Sequence, residues 1–373
     1  MINGLKIKFL SLLAVLMLSS SVVIAESPVH DNHDESVITA NDDHGNQPEK
    51  KFDAAAHAIH HAMDAHEFHF TDNFVIPLPV ILWTENGLVT FMSSEFHHDD
   101  DGHHIVEKDG MKFVKFHEKI YQLDAGAEHV LFDGDHKPMN AIKPLDISLT
   151  KNVVTMFLVA LLMLWIFIAT AKHYRTETPT APKGIAGFTE PLILFVRSIA
   201  QDNIHGHDTY KKFMPYLLTV FFFILFGNVL GLIPFLANPN MTGSISVTIV
   251  LAAFTFVVQM IHSKKGFWSH IFMPPGVPIA LYPILVPIEF AGIFIKPAAL
   301  IIRLFANITA GHIIVVSLIA IIFVNQNAAW AGLSVPMTLF ISVLELLVAF
   351  LQAYIFTMLS ALFIGSAVEE AHH

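Results

Sequence analysis

The sequence contains no cysteine, which excludes disulfide frameworks, thiolate metal sites and thiol-based catalysis. Charge is scarce as well: only 14% of the 373 residues are Asp, Glu, Lys or Arg, and the formal net charge is −11. A negative chain without a basic cluster argues against nucleic-acid binding. What remains in excess is apolar, at 54% of the chain. That is too much for an ordinary soluble domain of this length and marks a membrane protein.

Charge is also unevenly placed. Residues 26–145 hold 23 acidic and 8 basic side chains and 15 of the 23 histidines. Ahead of them, Lys6 and Lys8 precede an apolar run over 9–24 that ends in Val23-Ile24-Ala25. This order of charged, apolar and small residues reads as a secretory signal over residues 1–25, cleaved after Ala25. Residues 26–145 then form an acidic, His-rich extracytoplasmic segment. Within it, residues 53–67 suggest a helix, whereas 74–83 and 111–116 are β-like. The Asp-Gly pairs at 101–102, 109–110 and 133–134 suit hairpin turns. A small extramembrane domain with some β structure is expected.

From residue 146 onward the chain reads as a membrane domain. Apolar runs at 153–171, 213–236 and 246–261 are of spanning length or close to it. The stretches 277–324 and 333–364 are longer: as continuous helices they would measure ~70 Å and ~48 Å against a core of ~30 Å. They must tilt, bend or break, and Pro278, Pro283, Pro287 and Pro297 offer places to do so. The fold class expected is an all-α polytopic membrane protein with about five membrane helices, the last two a long tilted hairpin. A segment over 185–200 suits an interfacial amphipathic helix. Basic residues cluster in the 172–212 connection and at Lys264 and Lys265, and are missing from 237–244 and 325–332. That asymmetry puts the basic loops and the C-terminus in the cytoplasm and the acidic segment outside. The expected location is the bacterial plasma (inner) membrane.

Glu289, Lys296 and Arg303 interrupt the fourth apolar stretch seven residues apart. Seven residues make nearly two helical turns, so the three share a stripe that Asn307 continues. Thr338, Glu345 and Gln352 repeat the spacing in the last stretch. A charge near mid-bilayer costs at least ~2.5 kcal/mol and normally faces a protein partner or a watery cavity. Lys296 can pair with Glu289 or snorkel to an interface. Arg303 has no acid within one turn, so its partner should come from another helix or another chain. Arginine does not release its proton, and Arg303 can act only as a fixed charge. Glu289, Glu345 and His312 can titrate and so could relay protons.

These residues, Pro287-Ile288-Glu289, Lys296-Pro297, Arg303-Leu304-Phe305-Ala306-Asn307 and Ala310-Gly311, resemble the penultimate helix of subunit a of the F-type rotary ATP synthase. The likeness extends to Leu351-Gln352-Ala353-Tyr354-Ile355-Phe356 and to Gly227-Asn228-Val229-Leu230-Gly231-Leu232-Ile233-Pro234, and covers residues 147–370 in order. Residues 26–145 lie outside it. The resemblance implies a non-catalytic, proton-conducting stator subunit that forms two half-channels against a c-ring. It also implies a b-subunit peripheral stalk and membrane lipid as partners, with no cofactor. By the same resemblance Arg303 faces the ring, Gln352 neighbours it, and Glu289 and Asn307 line access paths. Many bacterial members carry Glu and His where this chain has His312 and Glu345, an exchanged pair. Lys296 and Asn228 remain structural or access-path candidates. No Walker-type phosphate loop occurs, so nucleotide chemistry belongs to other subunits.

Two further readings remain at the sequence level. A self-contained secondary ion transporter would show internal repeats, and none is found. His57 and His61, an i, i+4 pair among His57, His60, His61, His66 and His69, are weak candidates for a metal, without a closed ligand set.

Overall fold

The computed structural model describes residues 64–71, 74–127, 129–131, 138–174, 181–206, 208–233, 241–274, 276–325 and 327–369. The signal sequence expected over 1–25, His57, His60, His61 and the Asp133-Gly134 pair lie outside these residues, as does most of the helix expected over 53–67. The end of that helix is not helical: Glu67 opens a strand.

The β-rich part begins with a two-stranded ribbon, β1 (Glu67–Thr71) and β2 (Phe74–Pro77). β3 (Pro79–Thr84) and β4 (Gly87–Met92) form a hairpin that a later strand, β9 (Leu145–Asp146), extends into a sheet of order β4-β3-β9. A second sheet runs β5 (Asp101–Lys108), β6 (Met111–Phe116), β7 (Lys119–Leu123) and β8 (Ala141–Ile142). Alternation makes the core: Val80, Leu82, Val89 and Phe91 from the first sheet meet Val106, Phe113 and Ile120 from the second. The Phe91 and Phe113 rings lie 5.6 Å apart.

Asp109-Gly110 is a two-residue hairpin turn, with both residues at positive φ (52° and 74°) and Lys108 paired to Met111. The same dipeptide behaves differently at Asp101-Gly102, where a turn was expected. It lies inside β5, at an irregularity in the register, and Gly102 takes a φ of 79°. A bulge uses the same left-handed glycine that a turn would use.

The membrane part consists of α1 (Lys151–His173), α2 (Ile185–Asn203), α3 (Tyr210–Gly231), α4 (Ile245–Ile261), α5 (Lys265–Phe272), α6 (Tyr282–Val324) and α7 (Ala331–Val368). Among the described residues four helices are long and apolar enough to cross a bilayer, five if α4 and α5 count as one span. That pair bends by 100°. α4 has 17 residues and rises only ~26 Å, short of the ~30 Å core, and the polar run His262-Ser263-Lys264 turns the chain before α5. α2 is a helix, as expected, but it packs on α1, α3 and α7. The Thr170 and Thr189 hydroxyls, 2.9 Å apart, join it to α1.

α6 and α7 run antiparallel. Ser334 donates to the Leu318 carbonyl, Gly311 abuts Glu345, and Asn307 bonds Gln352, so residue numbers fall on one helix as they rise on the other. Pro287 and Pro297 sit within α6 without ending it, while Pro278 and Pro283 lie at its approach and first turn. At 43 residues α6 is ~65 Å long, so tilt, not a break, must reconcile it with a bilayer. The aromatic core built on α3 (Phe221, Phe222, Phe223) anchors one side of α7 through Phe356 and Ile364. In its apolar window α3 is 78% buried, against 6% for the window containing α6 and 22% for α7. The hairpin therefore presents a broad open face to lipid or to another chain.

Candidate functional site

Arg303 projects from the open face of α6 and is exposed on the surface of the chain. Among the described residues it has no ion-pair partner, although it sits in the middle of the longest apolar helix. Lys296 is likewise exposed and Glu289 half-buried. No ion pair joins Glu289 to Lys296 among the described residues, so the stripe is not held together by a salt bridge of its own.

One turn beyond Arg303, Asn307 reaches inward and its Nδ2 donates to Gln352 Oε1 at 3.1 Å. Gln352 is 2% exposed, so this bond fixes its amide in a dry environment, where losing a partner costs most. The two sevenfold stripes recognised in the sequence thus meet across the hairpin. Asn307 and Glu345 then line a small cavity with Gly227, Asn228 and Gly231 of α3 and with Thr242. Thr242 donates its hydroxyl to the side-chain Oδ1 of Asn228. The Asn228 Nδ2 is buried and, among the described residues, has no partner. Thr309 Oγ1 and Thr338 Oγ1, on α6 and α7, are buried and unpartnered in the same way. Buried polar atoms are normally satisfied, and such orphans are where ordered water binds.

Glu345 lies directly against Gly311. A Cβ at position 311 would collide with its carboxylate oxygen, so a side chain there would deny Glu345 its place. Gly311 immediately precedes His312, whose backbone belongs to α6 and whose side chain lies outside the described residues. The sequence identified Asn228 only as part of a motif. Thr242 and the clearance at Gly311 had no signal in it, because each matters through a contact distant in the chain.

The structure therefore presents a fixed cation on an open helix face beside a polar cavity containing a carboxylate and unsatisfied hydrogen-bonding atoms. Two comparisons bear on it. The family model described as ATP synthase A chain matches residues 153–365. The chain belongs to the ATP synthase A chain family. It is 45% identical over 279 residues to ATP synthase subunit a of Chlorobium phaeobacteroides, covering 73% of this chain and 75% of that protein. It is 48% identical over 245 residues to ATP synthase subunit a of Chloroherpeton thalassium (64% and 72% of the two chains), and 45% over 273 residues to ATP synthase subunit a 2 of Chlorobaculum tepidum (71% of each). Residues 57–147 match a second model, Domain of unknown function (DUF8433). The β-rich part is thus a recurrent module, although nothing in its residues resembled a known family.

That module holds ionisable groups which the sequence did not bring together. Lys115, 2% exposed, lies 3.3 Å from Glu67, 3.7 Å from Glu118 and 3.8 Å from Asp100. Burial opposes its charge, but the three carboxylates outweigh it and hold its pKa above the ordinary lysine value. His66 Nε2 lies 3.0 Å from Asp146 Oδ2. Burial disfavours the imidazolium, yet the Asp146 bond and the nearby Glu118 and Asp64 raise the pKa of His66 overall. The same contact overcomes desolvation of Asp146 and lowers its pKa. Beside this pair the Lys151 amide donates to the Ala65 carbonyl at 2.8 Å and the Asn152 amide to Asp64 Oδ1 at 3.0 Å, fastening the module to the start of α1. Among the described residues no group of three or more His, Asp or Glu side chains is arranged to hold a metal.

Proposed function

We propose that the chain is the proton-conducting stator subunit of an F-type ATP synthase, non-catalytic by itself, with its α6–α7 face set against a c-ring. The observation that carries this reading is Arg303: an arginine in an apolar helix, exposed on its own chain's surface, without an acid among the described residues to neutralise it. A neighbour supplying negative charge offsets the cost of such an arrangement in a membrane. A carboxyl on the ring meets that need.

The mechanism is electrostatic. A ring carboxyl buried in lipid stays protonated because desolvation raises its pKa. Brought beside Arg303, it loses the proton because an adjacent cation lowers that pKa by roughly 2. This corresponds to about 2.7 kcal/mol, comparable to the ~2.3 kcal/mol a proton gains in crossing 100 mV. The fixed charge biases release and blocks direct proton passage, which forces protons to travel with the ring. Glu289 and Asn307 are assigned to the access paths, His312 and Glu345 to the proton relay, and Gln352 to the place beside Arg303 on α7. The unsatisfied Asn228, Thr309 and Thr338 atoms are water sites along them. The b subunit and lipid cover other parts of the helical surface. Residues 26–145 stand outside the bacterial inner membrane, after a signal at 1–25, and the C-terminus is cytoplasmic.

Proximity tests the arrangement. With Ala306→Cys, one turn of α6 from the exposed arginine side, and a cysteine one turn from the ring carboxylate, oxidation should join the two subunits and stop ATP-driven proton pumping. If position 306 cross-links only to other subunits, or to none while a cysteine on α1 reaches the ring, the proposed face is wrong.

A further inference from the structure

The outward face of the β4-β3-β9 sheet is apolar although nothing in the chain's described residues covers it. Alternation sends Val80, Leu82, Val89 and Phe91 into the module's core, so their neighbours must face the other way. Trp83 is 58% exposed, Leu88 56% and Met92 41%. Trp83 sits between Leu88 and Leu145 in the register. The face continues through Leu145 of β9 and Ile147 on the final approach to α1, both exposed. An antiparallel sheet covered on one side normally presents polar residues on the other. An open apolar edge of this kind is avoided unless it has a partner.

We infer that this face lies on the membrane surface from which α1 enters the bilayer, with Trp83, Leu88 and Leu145 seated at the level of the lipid headgroups. Three observations select lipid as the occupant. First, chain length limits the patch: Lys151 lies six positions after Leu145, and at ~3.4 Å each Leu145 stays within ~20 Å of the first residue of α1. Second, the connection is fastened along its length. The Ile147 amide donates to the Ile81 carbonyl at 2.9 Å, Leu149 to Pro79 at 3.2 Å and Lys151 to Ala65 at 2.8 Å, so the sheet cannot swing away from the helix start. Third, the face bears an indole and branched aliphatic side chains without a charge among Pro79, Ile81, Trp83, Leu88, Thr90 and Met92. That is the composition of residues that anchor at a bilayer interface.

The absence of cysteine makes spin labelling specific for this chain. Leu88→Cys, Leu145→Cys and Glu107→Cys, the last on the exposed face of β5 in the other sheet, would each be labelled in the assembled complex, with thiol-free partner subunits. The complexes are reconstituted in phosphatidylcholine–phosphatidylglycerol vesicles. Collision with oxygen relative to a water-soluble nickel chelate reports immersion. The ratio should be several-fold higher at 88 and 145 than at 107, with proton-driven ATP synthesis retained in all three. A ratio at 88 and 145 equal to that at 107 means the face is open to water and overturns the inference. Shielding from both reagents also overturns it, because protein then covers the face, whether from residues 1–63, another subunit or a second copy.

Discussion

Gly311→Ala isolates the role of Glu345 with the addition of one methyl group. In the native arrangement the Glu345 carboxylate occupies the space that a Cβ at 311 requires. The atom in the way is the end of a flexible side chain, so the helices need not part and Glu345 can rotate away. Holding it near its present position instead requires an off-rotamer torsion, which costs about 0.5–1.5 kcal/mol. That leaves the productive conformer about 2-fold to 10-fold less populated. Helix stability moves the other way, since alanine is favoured over glycine in a helix by about 1 kcal/mol. The variant should therefore assemble normally. Proton-driven ATP synthesis in inverted vesicles should fall about 2-fold to 10-fold, with the content of this subunit in the membrane unchanged. Combining Gly311→Ala with Glu345→Asp withdraws the carboxylate by one methylene, so the double variant should lose less than the product of the two single losses. Unimpaired synthesis in Gly311→Ala, or strictly multiplicative losses in the double variant, would refute the reasoning that Glu345 acts from this position.

Gly365→Ala should behave differently, because the atom it meets is the Asn203 backbone carbonyl oxygen. α7 and α2 must separate, at a cost of about 1–3 kcal/mol, and a lower yield and melting temperature of the complex are expected. Lys115→Met removes the buried cation from Glu67 and Glu118 and should destabilise the β-rich module by about 3 kcal/mol. Faster proteolysis of β5–β7 with intact membrane helices is the expected readout. The His66–Asp146 contact predicts two pH limits. Because the folded pKa of His66 is raised above 6.5, its contribution is complete below that value and is lost as pH rises through the folded pKa. Because that of Asp146 is lowered below 3.8, its contribution is present above 3.8 and is lost as pH falls through the folded value. Protease resistance of the 141–150 connection should be greatest between these limits, and His66→Gln should abolish the alkaline loss while leaving the rest of the module folded.

What could be read from the sequence followed from whether its cause was local. Arg303 stood out because a permanent charge within an apolar run is expensive wherever the helix lies, and the sevenfold spacing of Asn307's stripe and of Gln352's stripe survives any packing. Their meeting across the hairpin required only two antiparallel helices. The clearance at Gly311, the Asn228–Thr242 bond and the Lys115 cluster were not legible, since each joins residues that lie far apart in sequence or in different elements. The β-rich module shows the limit within a single dipeptide: Asp109-Gly110 turns the chain and Asp101-Gly102 does not, because a bulge satisfies the same glycine conformation. Proline was also a poor guide, since α6 continues through Pro287 and Pro297. Breaking so long an apolar helix would expose backbone groups to lipid, which costs more than the hydrogen bonds those prolines remove.

The most direct measurement is ATP synthesis driven by an imposed proton gradient in vesicles carrying Arg303→Ala, with the assembled complex quantified in the same membranes. The account predicts a normal amount of complex and no coupled synthesis, because Arg303 is the permanent cation that the mechanism sets against the ring carboxyl. Wild-type rates in that variant would contradict it.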